Sequence, residues 1–197
     1  MSDRAPQFVL ASASPRRREL LEQIGLRFIV KAADIDERVR ANETPEETVQ
    51  RLAAEKSARV LANRAEDIPV LGADTIVVLD GTVLGKPSHV QEGIAMLGLL
   101  SGKQHRVLSA VSLRGRKHWQ AMSETRVWFR ELSVLEMAAY WKSGEPCDKA
   151  GGYAIQGLGA LFVRRIEGSY SGVVGLPIYE TADVLCKAGI AVLSELQ

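Results

Sequence analysis

The chain has 197 residues, 46% of them hydrophobic, which is enough to bury a core of its own. Its 25 lysines and arginines balance 24 aspartates and glutamates, and a net charge of +1 argues against a protein that coats a nucleic-acid polymer. The sequence has no apolar run long enough for a membrane span and no signal-peptide pattern. The two cysteines fit neither a disulfide framework nor a metal-ligand spacing, and we expect ordinary thiols in a reducing cytosol.

The first predicted strand and the turn after it carry the most informative local sequence. Residues 8–11 are apolar and predict a strand, and Ser14 and Pro15 predict the N-cap and first position of a helix. Residues 16–18 are all arginine and fall in the first helical turn, where the helix dipole disfavours positive charge. Backbone N–H groups beside hydroxyl and guanidinium side chains favour an anion site, most naturally for phosphate. The alternative is that the arginines simply lie on a solvated helix face.

The next segments predict a strand, a loop and a helix. Residues 28–30 predict a short strand, and residues 33–38 predict an acidic loop, which is most often merely solvated. A capping box from Thr44 to Glu47 opens a helix that we expect to run to about residue 63. Lys56 lies in the middle of this helix, where a solvated lysine is the usual case.

Residues 70–79 form the most hydrophobic predicted strand, which we expect to be central and buried on both faces. Asp74 interrupts this strand. A buried aspartate is unfavourable unless it is paired, bound to a metal or located where the strand opens into a site. The pattern therefore favours a functional role over a purely structural one. Asp80 and Gly81 predict a hairpin turn to a returning strand, which ends near Lys86.

The remaining chain continues the alternation of helices and strands. Further helices are predicted from a capping box at residues 88–91, from one at residues 133–136, and at residues 177–187; strands or extended pieces are predicted at residues 104–113, 117–129, 161–167 and 173–175. Gln156 lies among apolar neighbours, and we expect a buried amide that needs hydrogen-bond partners. The whole pattern predicts an α/β or α+β fold, with a mixed sheet flanked by helices.

A series of short motifs resembles the Maf (septum-formation inhibitor) family of nucleoside triphosphate pyrophosphatases. The motifs follow the family order from about residue 8 to about residue 185 and are specific in combination. They are LASASPRR at 10–17, GADT at 72–75, GKP at 85–87, SG at 101–102, DKAGGYAIQG at 148–157, GSY at 168–170 and VGLP at 174–177. One small departure is Ala13, where relatives often carry glycine or another small residue.

The resemblance implies hydrolysis between the α and β phosphates of a nucleoside triphosphate, with a divalent cation, Mg²⁺ or Mn²⁺, as cofactor. It implies a cytoplasmic homodimer and a single domain over residues 1–197, with two lobes around one nucleotide cleft, as in ITPase-like folds. The match is closest to the dTTP/UTP branch, because Arg17 and Gln156 differ from the pattern of the 7-methyl-GTP branch. Modified pyrimidine nucleotides are a further substrate class left open. We expect neither a nucleic-acid polymer nor a membrane as partner.

The resemblance also assigns roles to individual residues. By position, Asp74 takes the role of proton acceptor, and Arg17, Thr75 and Gln156 match positions associated with the choice of base. The other polar cleft positions correspond to Ser12, Arg16, Glu37, Lys56 and Lys86, of which Glu37, Lys56 and Lys86 are counted with the catalytic group.

Two questions stay open at the level of the sequence. Asp74 and Glu37 carry hard oxygen ligands suited to a divalent cation, so Asp74 is the general base, a ligand of the metal that activates the water, or both. A non-catalytic nucleotide-binding regulator of cell division is the alternative function. The presence of Asp74, Glu37 and the lysines favours the enzyme.

Overall fold

A seven-stranded mixed β-sheet carries the fold in the computed structural model, which describes residues 5–63 and 68–192. The strands are β1 (Phe8–Leu10), β2 (Phe28–Val30), β3 (Val70–Leu79), β4 (Thr82–Leu84), β5 (Gln104–Arg114), β6 (His118–Phe129) and β7 (Val163–Glu167). Their order is β2-β1-β3-β5-β6-β7, and β4 pairs with β3. β1 runs parallel to β2 and β3, whereas the β3–β4 and β6–β7 pairs are antiparallel. The predicted mixed sheet is confirmed, and β3 is buried at every position except the half-buried Thr75.

Six α-helices accompany the sheet in the described residues: α1 (Pro15–Gln23), α2 (Pro45–Leu61), α3 (Val90–Leu100), α4 (Val134–Lys142), α5 (Tyr170–Val174) and α6 (Ile178–Lys187). Both capping boxes predicted for α2 and α4 are present, formed by Thr44 with Glu47 and by Ser133 with Glu136. Each box satisfies N–H groups that the first helical turn leaves without a partner, so the local sequence is sufficient to fix these two helix starts.

The start of α3 differs from the prediction. Its N-cap is His89, whose Nδ1 accepts a hydrogen bond from the backbone N–H of Glu92 at 3.2 Å. Ser88 instead donates its hydroxyl and its backbone N–H to the Glu92 carboxylate, at 2.6 and 2.7 Å. The predicted box at residues 88–91 is therefore wrong, because the carboxylate that closes the turn comes one residue after Gln91.

Two short elements near the C-terminal end also differ from the prediction. The prediction of an extended piece at residues 173–175 is wrong, because α5 covers Tyr170–Val174, and the Ser169 hydroxyl accepts from the N–H of Gly172 at 3.0 Å. β7 begins at Val163 rather than at residue 161, because a 3₁₀ helix covers Gly157–Phe162. Local apolar character does not distinguish such single turns from strands.

The chain divides into two compact units, each with its own apolar cluster. The first unit holds the described parts of residues 1–74, 109–122 and 175–197, and the second holds residues 75–108 and 123–174. In the first, Val9, Ala11, Val60 and Val70 pack together. The larger cluster of the second unit includes Val77, Leu97, Phe129, Met137 and Phe162. No helix within the described ranges has the length and the apolar run that a bilayer crossing requires.

Candidate active site

The turn between β1 and α1 folds as predicted at Ser14 and Pro15. Ser14 is the N-cap residue, with φ −68° and ψ 118°, and Pro15 opens the helix. The Ser14 side chain makes no capping hydrogen bond. Its backbone N–H donates instead to the hydroxyl of Ser12 at 3.2 Å, so Ser12 closes the turn.

The three arginines after this turn have different environments. Arg18 is exposed and lies 3.5 Å from Glu22. Arg16 is half-buried, whereas Arg17 is buried and donates from Nε to the carbonyl oxygen of Gly175 at 2.8 Å. A second Arg17 nitrogen donates to the hydroxyl of Ser12 at 3.2 Å. The solvated-face interpretation is therefore wrong for Arg17.

The charge of the buried Arg17 guanidinium is affected by the charged side chains around it. Burial lowers the pKa of the guanidinium, the carboxylates of Asp74 and Glu37 oppose that shift, and the positive charge of Arg16 adds to it. A buried cation is costly unless it is compensated, and here the compensation comes from the two carboxylates predicted as site residues.

Lys56 is the centre of the acidic part of the site. It is 7% exposed, so the expectation of a solvated lysine in α2 is wrong. Its Nζ lies 2.6 Å from Asp74 Oδ1 and 2.6 Å from Glu37 Oε1. The Asp74 side chain is 9% exposed and that of Glu37 is 46% exposed, so one carboxylate approaches Lys56 from the interior and the other from the surface.

Gly72 allows α2 to approach β3 closely enough for this contact. A Cβ at position 72 would overlap the carbonyl oxygen of Ala53 and lie 2.7 Å from the backbone nitrogen of Ser57, both in α2. Gly72 and Asp74 lie two residues apart, and side chains at this spacing share one face of a strand. The same face therefore receives the helix at Gly72 and the lysine of that helix at Asp74.

Three predicted site residues belong to the second unit. Thr75 follows Asp74 in β3 and points to the opposite face of the strand. Lys86 is exposed just after β4, where the carbonyl of Gly85 accepts from the N–H of Gly151 at 2.9 Å. Gln156 is the N-cap of the 3₁₀ helix Gly157–Phe162 and is half-buried, so it is less buried than predicted.

Glu145 organises the backbone next to Gln156, and sequence reasoning did not single it out. Its carboxylate accepts from the N–H groups of Leu158 and Gly159, at 2.9 Å each, and from the hydroxyl of Tyr140 at 2.8 Å. Burial alone would raise the pKa of Glu145, but these hydrogen bonds outweigh it and the pKa is lowered. Gly157 has φ 81°, and a Cβ there would overlap this carboxylate. The glycine directly after Gln156 is the only detectable sequence signal for this close approach.

The family assignment follows from comparison with known proteins. The family described as Maf-like protein matches residues 7–188. The chain belongs to the Maf family. It is 54% identical over 185 residues to a protein of Methylococcus capsulatus named dTTP/UTP pyrophosphatase, covering 93% of this chain and 92% of that protein. A Vibrio cholerae protein of the same name is 51% identical over 183 residues, covering 92% and 97%. Among solved structures, the Staphylococcus aureus Ham1 protein aligns with a TM-score of 0.43 and 16% identity, over 62% of this chain and 71% of that chain.

The structure of this Maf chain connects the six predicted site residues of the first unit. Ser12 contacts Arg17, the charge of Arg17 interacts with Asp74 and Glu37, and Lys56 binds both carboxylates. Arg16 enters the same group through its repulsion of Arg17. Thr75, Lys86 and Gln156 lie in the second unit.

The carboxylates of Asp74 and Glu37 are the candidate ligands for a divalent cation. Among residues 5–63 and 68–192, no three histidine, cysteine, aspartate or glutamate side chains are arranged to hold a metal ion. Asp74 and Glu37 do converge on Lys56 Nζ, at 2.6 Å each. Mg²⁺ in nucleotide enzymes is commonly held by one or two carboxylates and completes its shell with phosphate oxygens and water. The donor set therefore fits a cation that binds together with a polyphosphate.

Proposed function

We propose that this protein is a nucleoside triphosphate pyrophosphatase that hydrolyses dTTP and UTP to the nucleoside monophosphate and pyrophosphate. The observation that carries the proposal is the buried contact of Lys56 with Asp74, in a chain that is 54% identical to a relative named for this activity. A carboxylate held in the interior of a strand by a buried lysine is a costly arrangement, and such arrangements are concentrated at functional sites.

In the proposed reaction, Asp74 accepts the proton of the water that attacks the α phosphorus. We assign this role to Oδ2, because Oδ1 accepts the hydrogen bond from Lys56. The bond from the α phosphorus to the bridging oxygen breaks, and pyrophosphate leaves. The positive side chains of Arg16 and Lys56, with the hydroxyl of Ser12, neutralise and orient the phosphates, which supplies much of the catalysis in phosphoryl-type transfers. The family resemblance assigns Lys86 to the same role.

Asp74 and Glu37 would hold the divalent cation, Mg²⁺ or Mn²⁺, that the family resemblance implies. When bound, such a cation supplies Lewis-acid polarisation of phosphate oxygens. Lys56 fixes both carboxylates through the same Nζ, so its contribution is to hold the two ligands in a defined geometry.

Selection of the base is assigned to Arg17, Thr75 and Gln156. The side-chain amide of Gln156 carries both a donor and an acceptor, which match the imide edge of uracil or thymine. Arg17 already binds the Gly175 carbonyl and the Ser12 hydroxyl, so it would act by fixing these groups. A homodimer and a cytoplasmic location belong to the same proposal. The family resemblance supports both, and the free thiols of Cys147 and Cys186 are usual in a reducing compartment.

The test is a panel of dTTP, UTP, CTP, dATP and GTP with Mg²⁺ or Mn²⁺, in which pyrophosphate and orthophosphate are assayed separately. We expect pyrophosphate and monophosphate from dTTP and UTP, and little from the purine nucleotides. Orthophosphate with a nucleoside diphosphate would contradict attack at the α phosphorus. Tight nucleotide binding without turnover would contradict the enzyme and favour the alternative, a non-catalytic nucleotide-binding regulator.

A further inference from the structure

The segment between β2 and α2 holds Glu37 in place without regular secondary structure. Residues 31–44 contain neither helix nor strand, and Glu37 is exposed. Its carboxylate still reaches Lys56 Nζ at 2.6 Å. Moving a loop that has no hydrogen-bonded ladder costs little free energy. A defined position of Glu37 therefore requires a separate set of contacts.

Arg51, on the second turn of α2, supplies such contacts. Its Nε lies 2.5 Å from Oε1 of Glu43, and another nitrogen donates to Oε2 of Glu43 at 2.8 Å. The same nitrogen donates to the backbone carbonyl of Arg38 at 3.1 Å. The remaining nitrogen faces Glu55 at 3.3 Å. One planar guanidinium therefore binds the loop at Arg38, directly after Glu37, and at Glu43, directly before the N-cap residue of α2.

The environment of Arg51 distinguishes it from the other arginines of this region. The side chains of Arg51 and Glu43 are each 12% exposed, whereas that of Arg38 is 88% exposed in its pair with Asp36. The hydrogen bonds from Arg51, together with weaker contributions from the Arg40 N–H and the Thr48 hydroxyl, lower the pKa of Glu43 to about 2, which keeps this carboxylate ionised. Glu43 also accepts from the hydroxyl of Thr48 at 3.1 Å, so it is fixed from two positions of α2. A shielded, bidentate pair holds its geometry far better than an exposed one.

We propose that Arg51 is a positioning residue, which fixes residues 37–43 so that the Glu37 carboxylate is held against Lys56. The proposal rests on the proposed function, because it gives Arg51 its effect on catalysis through Glu37. Arg51 and Lys56 lie on the same helix, so the helix that carries the lysine also fixes the loop that carries its carboxylate partner. Arg51 itself touches no reacting atom.

The test combines Arg51→Gln with Glu37→Gln in a double-mutant cycle on dTTP hydrolysis. We expect Arg51→Gln to lower kcat/KM by about tenfold, because small displacements of catalytic groups have large effects on rate. In the Glu37→Gln background the same change should lower kcat/KM by less than about twofold, since residues that act through one another are not additive. The fall in Tm caused by Arg51→Gln should be the same in both backgrounds. A purely structural role of Arg51 would not produce this difference between activity and stability.

The matched control is Arg38→Gln, the same substitution at an exposed position of the same loop, which should leave kcat/KM unchanged. Arg51→Lys keeps the charge but not the planar fork, and we expect an intermediate kcat/KM; it serves as the second variant if Arg51→Gln does not fold. Hydrogen exchange at residues 37–43 should increase in Arg51→Gln and not in Arg38→Gln.

Three results would overturn the inference. The first is that the effects of Arg51→Gln and Glu37→Gln on kcat/KM multiply in the double variant. The second is an Arg51→Gln variant with unchanged kcat/KM, and the third is a Glu37→Gln variant with unchanged kcat/KM. The proposed hydrolysis of dTTP stands after any of them if the wild-type protein releases pyrophosphate, although an unchanged Glu37→Gln variant would also remove Glu37 from the proposed cation site. Conversely, a wild-type protein without turnover contradicts the proposed function, and increased exchange at residues 37–43 in Arg51→Gln would still show that Arg51 holds the loop.

Discussion

Lys56 Nζ lies 2.6 Å from Asp74 Oδ1, and the two side chains are only 8% and 9% exposed. Each charged group has lost most of its solvation by water, so each depends on the other charge for compensation. Breaking a buried pair by removing one partner costs more than the intact pair contributes, because the remaining charge is left without a partner. This relationship lets stability and activity be tested at the same two positions.

The first prediction concerns Asp74→Asn. The amide keeps the shape of the carboxylate but cannot accept the proton of the attacking water, so we expect turnover of dTTP to fall about 10²- to 10⁴-fold. Steady-state release of pyrophosphate is the measurement. The matched control is Asp80→Asn, in the exposed turn between β3 and β4, where the φ of 49° is also accessible to asparagine. Near wild-type turnover in a folded Asp74→Asn protein would remove Asp74 from the mechanism.

The second prediction concerns Lys56→Met, which leaves the Asp74 carboxylate buried without its cation. We expect the free energy of unfolding to fall by about 3 kcal/mol in urea denaturation. Adding Asp74→Asn should restore part of that loss, because no buried charge then remains at the pair. If the losses in the free energy of unfolding of the two single variants simply add in the double variant, Lys56 and Asp74 do not compensate each other's buried charge.

The third prediction concerns Gly72→Ala, which places a methyl group against the Ala53 carbonyl oxygen. α2 must move away from β3, so we expect the free energy of unfolding to fall by about 1–3 kcal/mol or more. The Lys56–Asp74 distance changes with it, and kcat should fall by about tenfold. Gly98→Ala is the control, because the nearest atom to a Cβ there is the Met137 sulfur at 3.9 Å. A Gly72→Ala variant as stable and active as Gly98→Ala would contradict the close approach.

The elements that the sequence predicted correctly are those defined by local chemistry. The N-caps of α2 and α4 follow from hydrogen bonds within four residues, and β3 follows from an unbroken apolar run. The start of α3 was missed because His89, an uncommon cap, replaced the expected serine. The short helix α5 was missed because a single turn has no periodicity to detect.

In the candidate site too, residues with a local sequence signal could be predicted, whereas residues defined by long-range contacts could not. Asp74 was recognisable because a carboxylate stood in a buried strand. The helical pattern alone predicts a solvated Lys56, since its burial depends on the approach of α2 to β3, and only the family resemblance placed this lysine with the catalytic group. Arg51 and Glu145 were missed because their partners include backbone groups 13 or 14 residues away along the chain, and no spacing rule describes such contacts.

The fourth prediction concerns Gln156→Ala. Loss of the amide removes the proposed contacts with the imide edge of the base, so kcat/KM for UTP relative to CTP should fall by about tenfold. The rate constant kcat for UTP should change less than this ratio does. Gln91→Ala, at an exposed position of α3, removes the same amide far from Gln156 in sequence and should leave the ratio unchanged. An unchanged ratio in Gln156→Ala would take base selection away from this residue.

The fifth prediction concerns His105, which is 2% exposed in β5 and lies 2.8 Å, through Nε2, from the Tyr153 hydroxyl. Its Nδ1 has no hydrogen-bond partner among the described residues, and burial lowers the pKa of His105 to about 4. The unfolded chain, with a histidine pKa near 6.5, therefore binds a proton more readily than the folded protein does. The free energy of unfolding should fall by about 2 kcal/mol from this residue between about pH 7 and about pH 5.

The measurement is urea denaturation at both pH values. Because glutamine does not titrate but can still bond the Tyr153 hydroxyl, His105→Gln should reduce the difference in the free energy of unfolding between the two pH values by about 2 kcal/mol. Glu43 and Glu136 do not interfere, because their pKa values are lowered from 4.5 to about 2 and their stabilising effect is lost only as the pH falls below about 4.5. His118→Gln is the control, because the pKa of the exposed His118 is also lowered, by burial and by Arg114, but its ring is far less enclosed. An equal reduction in both variants would show that the acid sensitivity does not come from the buried ring.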